Sequence, residues 1–242
     1  MRGPRGVTAE LVLEFDHPTT AQGPTEYEQR SWTVGNGGHH INPRRMPKTT
    51  PQPLIHINAF PGTGKLTVAQ YLLSRSPPSA NVKLVHNHLL INPADAVLHR
   101  TQPGYQSLRR ALRAATFTSL ATEPATYNTT YLFTDFQTTN EQGTSVCLEY
   151  AQAAKDRGCV LIPIVLSCDE DANLKRIMHS DREMHAKLMD VELLRTFRKG
   201  APVFRFSDRK EFLEIDVTCL EPEEVARMIW EHVLVVCPEL EE

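Results

Sequence analysis

Short apolar segments alternate with stretches of helical periodicity from residue 54 onward. The apolar segments predict five strands, at 54–60, 83–90, 129–136, 160–166 and 211–217. Apolar positions three and four residues apart predict seven helices. The first follows the first strand and ends near 74, and the second starts near 92. The other five span 105–121, 140–157, 169–179, 190–199 and 222–235. Strands that alternate with helices form a parallel sheet with helices on both faces. The pattern therefore predicts an α/β fold, with three layers built around a mostly parallel five-stranded sheet.

Two prolines add detail to this pattern. Pro163 lies inside the fourth apolar segment and removes a backbone donor, which favours a peripheral strand or a bulge. Asn92 is followed by Pro93 and Asp95, an order typical of a helix with Asn92 as its N-cap and the proline in its first turn. The second strand is accordingly predicted to end near Leu90, before this helix begins.

The first 53 residues differ from the rest in composition. They hold 7 of the 17 prolines and 6 of the 12 glycines, and only Glu10–Phe15 has the pattern of a short strand. Such a segment buries too little apolar surface to offset the entropy lost on ordering it. We therefore predict a flexible Pro/Gly-rich extension at 1–53, a domain at 54–236 and an acidic tail at 237–242. Met46 could serve as an alternative translation start.

Length, charge and cysteine content limit the class of protein. At about 150 residues per domain, a chain of 242 residues suits one or two domains. The chain has 26 basic and 29 acidic residues, without the basic excess of a protein that binds a nucleic-acid backbone. Its apolar segments are shorter than the roughly 20 residues of a membrane span, and residues 1–20 lack the apolar core of a secretory signal. Five cysteines without a C-x-x-C pair favour a reduced, cytoplasmic protein.

The segment 61–67, Pro-Gly-Thr-Gly-Lys-Leu-Thr, has the composition of a phosphate-binding loop and lies between the first predicted strand and the first predicted helix. Gly62 and Gly64 allow the backbone to turn so that consecutive N–H groups point at a phosphate. The helix that follows directs the positive end of its dipole at the same anion. Lys65 adds a full positive charge that can reach the β- and γ-phosphates. These features predict that ATP binds at 61–67.

The loop departs from G-x-x-x-x-G-K-[ST] at two positions. Ala59 replaces the first glycine, and Leu66 stands where the magnesium-binding hydroxyl usually falls. Thr67 supplies a hydroxyl one residue later, so we expect Thr67 to contribute to a Mg²⁺ site. The alternative is a Pro-Gly turn, including Pro61 and Thr63, that only caps a helix.

The segment Ala59–Thr67 resembles the G-x-P-G-x-G-K-x-T loop of adenylate kinases and related small P-loop kinases, with shikimate kinases and chloramphenicol phosphotransferases as more distant relatives. The chain also resembles a group of AAA-labelled P-loop proteins that share this loop, an Asn-His pair after the second strand and a C-terminal Asp-x-Thr. Here these features are Asn87-His88 and Asp216–Thr218. The resemblance covers most of 54–235. It implies the P-loop NTPase fold and an ATP-dependent kinase activity on a small molecule.

Asp135 and Arg182 are the further candidates for catalysis. Asp135 closes the third predicted strand, at the sheet edge where ligands of parallel sheets gather. An acid there can hold magnesium through water or accept the proton of an acceptor hydroxyl, and a turn or N-cap aspartate is the alternative. Arg182 lies among the cations of 176–187, where the kinases that the loop resembles carry a mobile lid. The resemblance implies that Arg182 reaches the transferring phosphoryl group, with Arg176 as the next candidate; a charged surface loop is the alternative.

Candidates for contact with the phosphate acceptor follow the second strand. Asn87 and His88 lie at its predicted end, where kinases of this kind position the acceptor. His86 and His88 would share one face of that strand, so an H-x-H metal site is also considered, although a third ligand at a fixed spacing is not evident. Arg109 lies with two further arginines on the third helix, where it could clamp an anionic acceptor or face solvent.

Together these residues predict an ATP-dependent phosphotransferase that acts on an unidentified small-molecule hydroxyl or phosphate acceptor, with ATP and Mg²⁺ as cofactors. The alternative is a nucleotide-binding regulator or switch with little turnover, which Ala59 and Leu66 favour. A mechanical AAA ATPase is disfavoured because Phe136, rather than a glutamate, follows Asp135. The acceptor, the base preference and the oligomeric state do not follow from the sequence.

Overall fold

The structure is a computed structural model that describes residues 50–178 and 191–241. Five strands form one parallel sheet in the order β2-β3-β1-β4-β5. The strands are β1 Leu54–Ala59, β2 Val82–His86, β3 Thr130–Asp135, β4 Leu161–Ser167 and β5 Leu213–Asp216. The helices are α1 Lys65–Arg75, α2 His88–Asp95, α3 Tyr105–Thr122, α4 Glu141–Arg157, α5 Glu170–Ile177, α6 Val191–Lys199 and α7 Pro222–Val236. The predicted α/β fold with a five-stranded parallel sheet is confirmed.

Each face of the sheet packs against its own hydrophobic core. Side chains of β1 alternate between the two faces, as the period of a strand requires. Ile55 and Ile57 belong to the core that includes residues of α1 and α7, whereas Leu54 belongs to the core that includes residues of α3 and α4. The sheet therefore lies between two helical layers, and polar residues of β1 at even positions point toward α3 and α4.

β4 is an interior strand of the sheet, so the expectation that Pro163 marks a peripheral strand is wrong. β4 pairs with β1 on one side and β5 on the other. The carbonyl of Val160 accepts from the N–H of Leu54, and backbone groups alternate sides along a strand, so the nitrogen of Pro163 faces the β5 side. Pairing with β5 starts only at Ile164, opposite Leu213. The missing donor of Pro163 therefore costs no hydrogen bond to β5.

The predicted second strand, 83–90, is too long. β2 ends at His86, α2 begins at His88, and Pro93 lies inside α2 rather than in its first turn. The apolar run at 89–91 misled the prediction, because a short apolar run without periodicity fits a buried strand and a helix equally well. Because α2 begins at His88, Asn87 is the one residue between β2 and α2.

The C-terminal residues continue the packing of the domain. Residues 237–242 were expected to form an acidic tail, yet Cys237 and Leu240 are buried in the same core as α7. A 3-10 turn at Pro238–Leu240 brings Leu240 into this position. Within the two described ranges, no helix is long and apolar enough to span a membrane.

Candidate nucleotide-binding site

The segment after β1 forms a tight turn that leads directly into α1. Gly62 and Gly64 have φ angles of +87° and +98°, in the left-handed region that favours glycine. Gly64 is the N-cap of α1, and Lys65 is the first helical residue. The first amides of α1 lack partners within the helix, so this end can bind an anion. The predicted strand, turn and helix thus occur in the order that a phosphate loop requires.

The side chain of Lys65 folds back over this turn. Its Nζ donates to the carbonyl oxygens of Ala59, at 3.1 Å, and Phe60, at 3.2 Å. The hydroxyl of Thr63 donates to the same Phe60 carbonyl, at 2.9 Å. A phosphate oxygen carries a full charge and is a stronger acceptor for an ammonium group than a neutral carbonyl. The ammonium group of Lys65 is therefore placed beside the turn and can transfer its hydrogen bonds to a phosphate.

Helix α5 holds the loop from the side of β4. Asn173 is fully buried, and its Nδ2 donates to the carbonyl of Pro61 at 2.9 Å. A Cβ atom on Gly62 would lie 2.6 Å from the same Nδ2, so the close approach of α5 also requires glycine at this position. Arg176 donates to the carbonyls of Thr63, at 3.4 Å, and Val217, at 2.7 Å. Arg176, considered above as a catalytic cation, thus donates to backbone carbonyls of the loop and of the residues after β5.

Leu66 and Thr67 differ in what they offer to a magnesium ion. Leu66 is the second residue of α1 and offers no oxygen ligand. Thr67 is exposed, and its side chain leaves the helix at about 100° from that of Leu66. Mg²⁺ in nucleotide sites takes one or two protein ligands and completes its shell with phosphate oxygens and water. The exposed Thr67 hydroxyl fits this pattern of few protein ligands.

Asp135 lies at the carboxyl end of β3, opposite Asn58 of β1. The residue is 4% exposed, and three donors fix its carboxylate. Oδ1 accepts from the Phe136 N–H at 2.8 Å, and Oδ2 accepts from Gln137 Nε2 at 2.9 Å and from the Tyr150 hydroxyl at 3.3 Å. A carboxylate offers about four acceptor positions, so it can still bind a water molecule. This geometry fits an outer ligand of Mg²⁺ that acts through water.

The alternative interpretation of Asp135 as an N-cap does not fit the structure. Asn140 is the N-cap of α4, and its Oδ1 accepts from the Gly143 N–H at 2.7 Å. Asp135 instead ends a strand that is adjacent to β1, the strand from which the phosphate loop departs. The carboxylate and the loop therefore share the carboxyl edge of the sheet.

His56 is a buried polar residue that the sequence analysis missed. It is 1% exposed in β1, and its ring stacks on the ring of Tyr150 with 4.2 Å between centroids. Its buried Nε2 has no hydrogen-bond partner among the described residues. Burial lowers the pKa of His56 to about 4, although the negative charge of Asp135 acts in the opposite direction. The available signal was a histidine between two isoleucines in the first predicted strand.

The low pKa of His56 predicts a pH-dependent stability. Between the pKa of about 4 in the folded state and 6.5 in the unfolded state, the unfolded chain binds a proton that the folded chain does not. The free energy of unfolding should therefore fall as the pH decreases through this range, by up to about 3 kcal/mol from this residue. Urea unfolding of the wild type and of His56→Phe at several pH values measures the effect. Parallel pH profiles for the two proteins would contradict the prediction.

Asn87 and His88 follow β2 but do not extend it. Asn87 connects β2 to α2, and His88 is the first residue of α2, with its Nδ1 3.4 Å from Asn92 Oδ1. The idea that His86 and His88 share a strand face is wrong, because His88 is helical; their ring centroids are 6.2 Å apart. The described part of the chain contains no group of three or more His, Cys, Asp or Glu residues that could hold a metal.

Two of the three arginines of α3 share one partner, Glu149. Arg113 is 6% exposed and donates its Nε to Glu149 Oε2 at 2.8 Å. Arg110 pairs with the other oxygen of Glu149 at 3.1 Å. Arg109 Nε is buried and has no hydrogen-bond partner within residues 50–178 and 191–241. A buried nitrogen is closed to a ligand, so this observation does not connect Arg109 to an acceptor. Arg182 lies outside the described residues, as do 1–49.

A cavity of about 620 Å³ lies away from the loop. Its lining includes Leu148 and Lys155 of α4, Val160 and Leu161 at the start of β4, and Arg209. Parallel sheets bind ligands at the carboxyl ends of their strands. This cavity lies at the amino end of β4 and is not part of the candidate site.

No protein-family model matches the chain, and no curated protein matches it. Solved structures are similar to it. The tunicamycin resistance protein of Deinococcus radiodurans has a TM-score of 0.50 and 16% identity, over 75% of this chain and 95% of that chain. A gluconokinase from Sinorhizobium meliloti 1021 has a TM-score of 0.52 and 13% identity, over 79% and 97%. The APS kinase of Mycobacterium tuberculosis, in complex with AMPPNP and APS, has a TM-score of 0.50 and 14% identity, over 76% and 98%.

The chain has the fold of the P-loop small-molecule kinases. At identities of 13–16% the shared feature is the fold. The matched length includes nearly the whole of each similar structure, so the fold expected from the loop motif is confirmed.

Proposed function

We propose that this protein is an ATP-dependent phosphotransferase with a small-molecule acceptor. The observation that carries the proposal is the loop after β1, where two glycines with positive φ lead into α1 and the Lys65 ammonium group lies beside the turn. A helix N-terminus and a lysine that converge on one point form a site for a nucleotide phosphate. The fold supports the same conclusion, since the similar structures include a gluconokinase and an APS kinase in complex with AMPPNP and APS.

Phosphoryl transfer depends on positioning and on charge stabilisation more than on covalent catalysis. In the proposed mechanism, loop 61–67 holds the triphosphate, and Lys65 neutralises charge on the β- and γ-phosphates. Asp135 orients the acceptor hydroxyl or accepts its proton, and its three donors keep the carboxylate in place. Arg182 is proposed to approach the transferring phosphoryl group. Bound Mg²⁺ would neutralise further phosphate charge, with Thr67 and, through water, Asp135 as the residues that hold it.

The acceptor is proposed to bind at the carboxyl ends of β2 and β3. Asn87 and His88 follow β2, Asp135 ends β3, and these strands are neighbours in the sheet. Arg109 is proposed to bind an anionic group on the acceptor through its guanidinium group. The proposed acceptor is therefore a small molecule with a hydroxyl or phosphate as its reacting group.

A nucleotide-binding switch is the second candidate. Leu66 removes the usual magnesium-binding hydroxyl, and the Asp135 carboxylate already accepts three hydrogen bonds. A site with both features can bind nucleotide and still transfer phosphate slowly. This candidate shares the loop with the kinase and differs from it only in turnover.

A screen of ATP consumption separates the two candidates. Purified protein is incubated with ATP, Mg²⁺ and a panel of metabolites, with Lys65→Ala as the control. A kinase consumes ATP in a manner that depends on one acceptor class and on Lys65. Nucleotide binding without turnover on any acceptor would favour the switch, and the absence of nucleotide binding would contradict both candidates.

A further inference from the structure

Arg198 connects α6 to the phosphate loop without touching the loop glycines. Its Nη1 donates to Asn173 Oδ1 at 3.1 Å, and its Nη2 donates to the carbonyl of Cys168 at 3.0 Å. Its guanidinium carbon lies 5.2 Å from the centroid of the Phe60 ring, within the range of a cation–π contact. One side chain thus contacts the residue after β4, the residue before the loop and the asparagine that holds the loop.

The chemistry of these contacts fixes the orientation of the Asn173 amide. A guanidinium group has donors and no acceptor, so the amide oxygen of Asn173 must face Arg198. The amide nitrogen then faces the carbonyl of Pro61 and donates to it. A flipped amide would place two donors together at Arg198 and two acceptors together at Pro61. Arg198 therefore selects the one orientation in which Asn173 binds the loop.

The packing around Asn173 leaves little room for movement. The Asn173 side chain is fully buried. A Cβ on Gly62 would lie 2.6 Å from Asn173 Nδ2 and 3.2 Å from the backbone carbonyl oxygen of Asn173. A shift of the Asn173 side chain would therefore press on the loop or break its bond to Pro61. The position of the amide and the conformation of the loop depend on each other.

We propose that Arg198 is a positioning residue for the phosphate loop and acts through the Asn173 amide. Arg198 fixes the amide, the amide holds the Pro61 carbonyl, and the loop amides stay in the arrangement that receives a phosphate. This inference rests on the proposed function, which places a nucleoside triphosphate at the loop. In this proposal Arg198 supports the loop and does not contact the transferring phosphoryl group.

A double-mutant cycle tests this proposal. The affinities for ATP and for inorganic tripolyphosphate are measured by calorimetry for wild type, Arg198→Gln, Asn173→Ala and the double variant. Each single variant should lose about 10-fold in both affinities, as expected for one buried hydrogen bond to a charged or tightly packed partner. Because Arg198 acts through Asn173, the double variant should also lose about 10-fold, and not about 100-fold. Arg195→Gln on the same helix, where Arg195 pairs with Glu192, is the matched control and should bind like wild type.

Arg198→Lys separates charge from geometry. Lysine keeps the positive charge but cannot donate to Asn173 and Cys168 from a planar fork, so it should bind ATP nearly as weakly as Arg198→Gln. If thermal melting shows that Arg198→Gln does not fold, Arg198→Lys replaces it in the comparison with wild type. Additive losses in the double variant, or full affinity in Arg198→Lys, would overturn the positioning role. A wild type that binds neither ATP nor tripolyphosphate would instead contradict the proposed function.

Discussion

Replacement of Lys65 by alanine is expected to weaken ATP binding by about 10–150-fold, which corresponds to the loss of a charge-assisted contact of about 1.5–3 kcal/mol. In the structure the ammonium group donates to two carbonyls beside the turn, so it needs only a short rearrangement to reach a phosphate. Alanine removes the charge and leaves the backbone of α1 unchanged. Calorimetry with ATP and Mg²⁺ at fixed ionic strength measures the difference.

Two further variants make this result specific to Lys65. Lys65→Met keeps the apolar stem of the side chain and should show nearly the same loss as alanine, because the charge is the effective group. Lys83→Ala removes a lysine from an exposed position of β2 and should leave the affinity unchanged. An ATP affinity in Lys65→Ala equal to that of the wild type would exclude loop 61–67 as the nucleotide site.

The phosphate loop could be predicted from the sequence because its geometry is local. Two glycines supply the positive φ angles, and the residues that follow form a helix whose first amides point at the turn. These properties depend on neighbours in the chain. The parallel sheet with helices on both faces also follows from the sequence, because strands alternate with helices along the chain.

The support of the site could not be predicted, because it depends on contacts between distant segments. Asn173 reaches Pro61 across more than a hundred residues of chain, and Tyr150 of α4 reaches Asp135 of β3. Arg113 shows the same limit. It is one of the two further arginines on the helix of Arg109, but its side chain forms an ion pair with Glu149. A helical pattern shows which residues share a face but not which partner that face meets.

Asp135→Asn is expected to lower the rate of phosphoryl transfer by about 10²–10⁴-fold, the range typical of a residue that transfers or orients a proton. The amide keeps the size of the carboxylate but lacks its charge and its basicity. ATP affinity should change by less than about 10-fold, because Lys65 and the loop amides supply most of the ground-state contacts. Turnover is measured with the acceptor found in the metabolite screen, and affinity is measured by calorimetry.

Tyr150→Phe distinguishes a catalytic carboxylate from a structural one. This variant removes one of the three donors to Asp135 and keeps both the charge of the carboxylate and the ring that stacks on His56. If the carboxylate acts on the acceptor, Tyr150→Phe should lose far less turnover than Asp135→Asn, at similar melting temperatures. If the two variants lose turnover equally, the hydrogen-bond network around Asp135 matters and its charge does not. The role of Asp135 would then be to hold the segment after β3 in place, and the group that activates the acceptor would lie elsewhere at the carboxyl edge of the sheet.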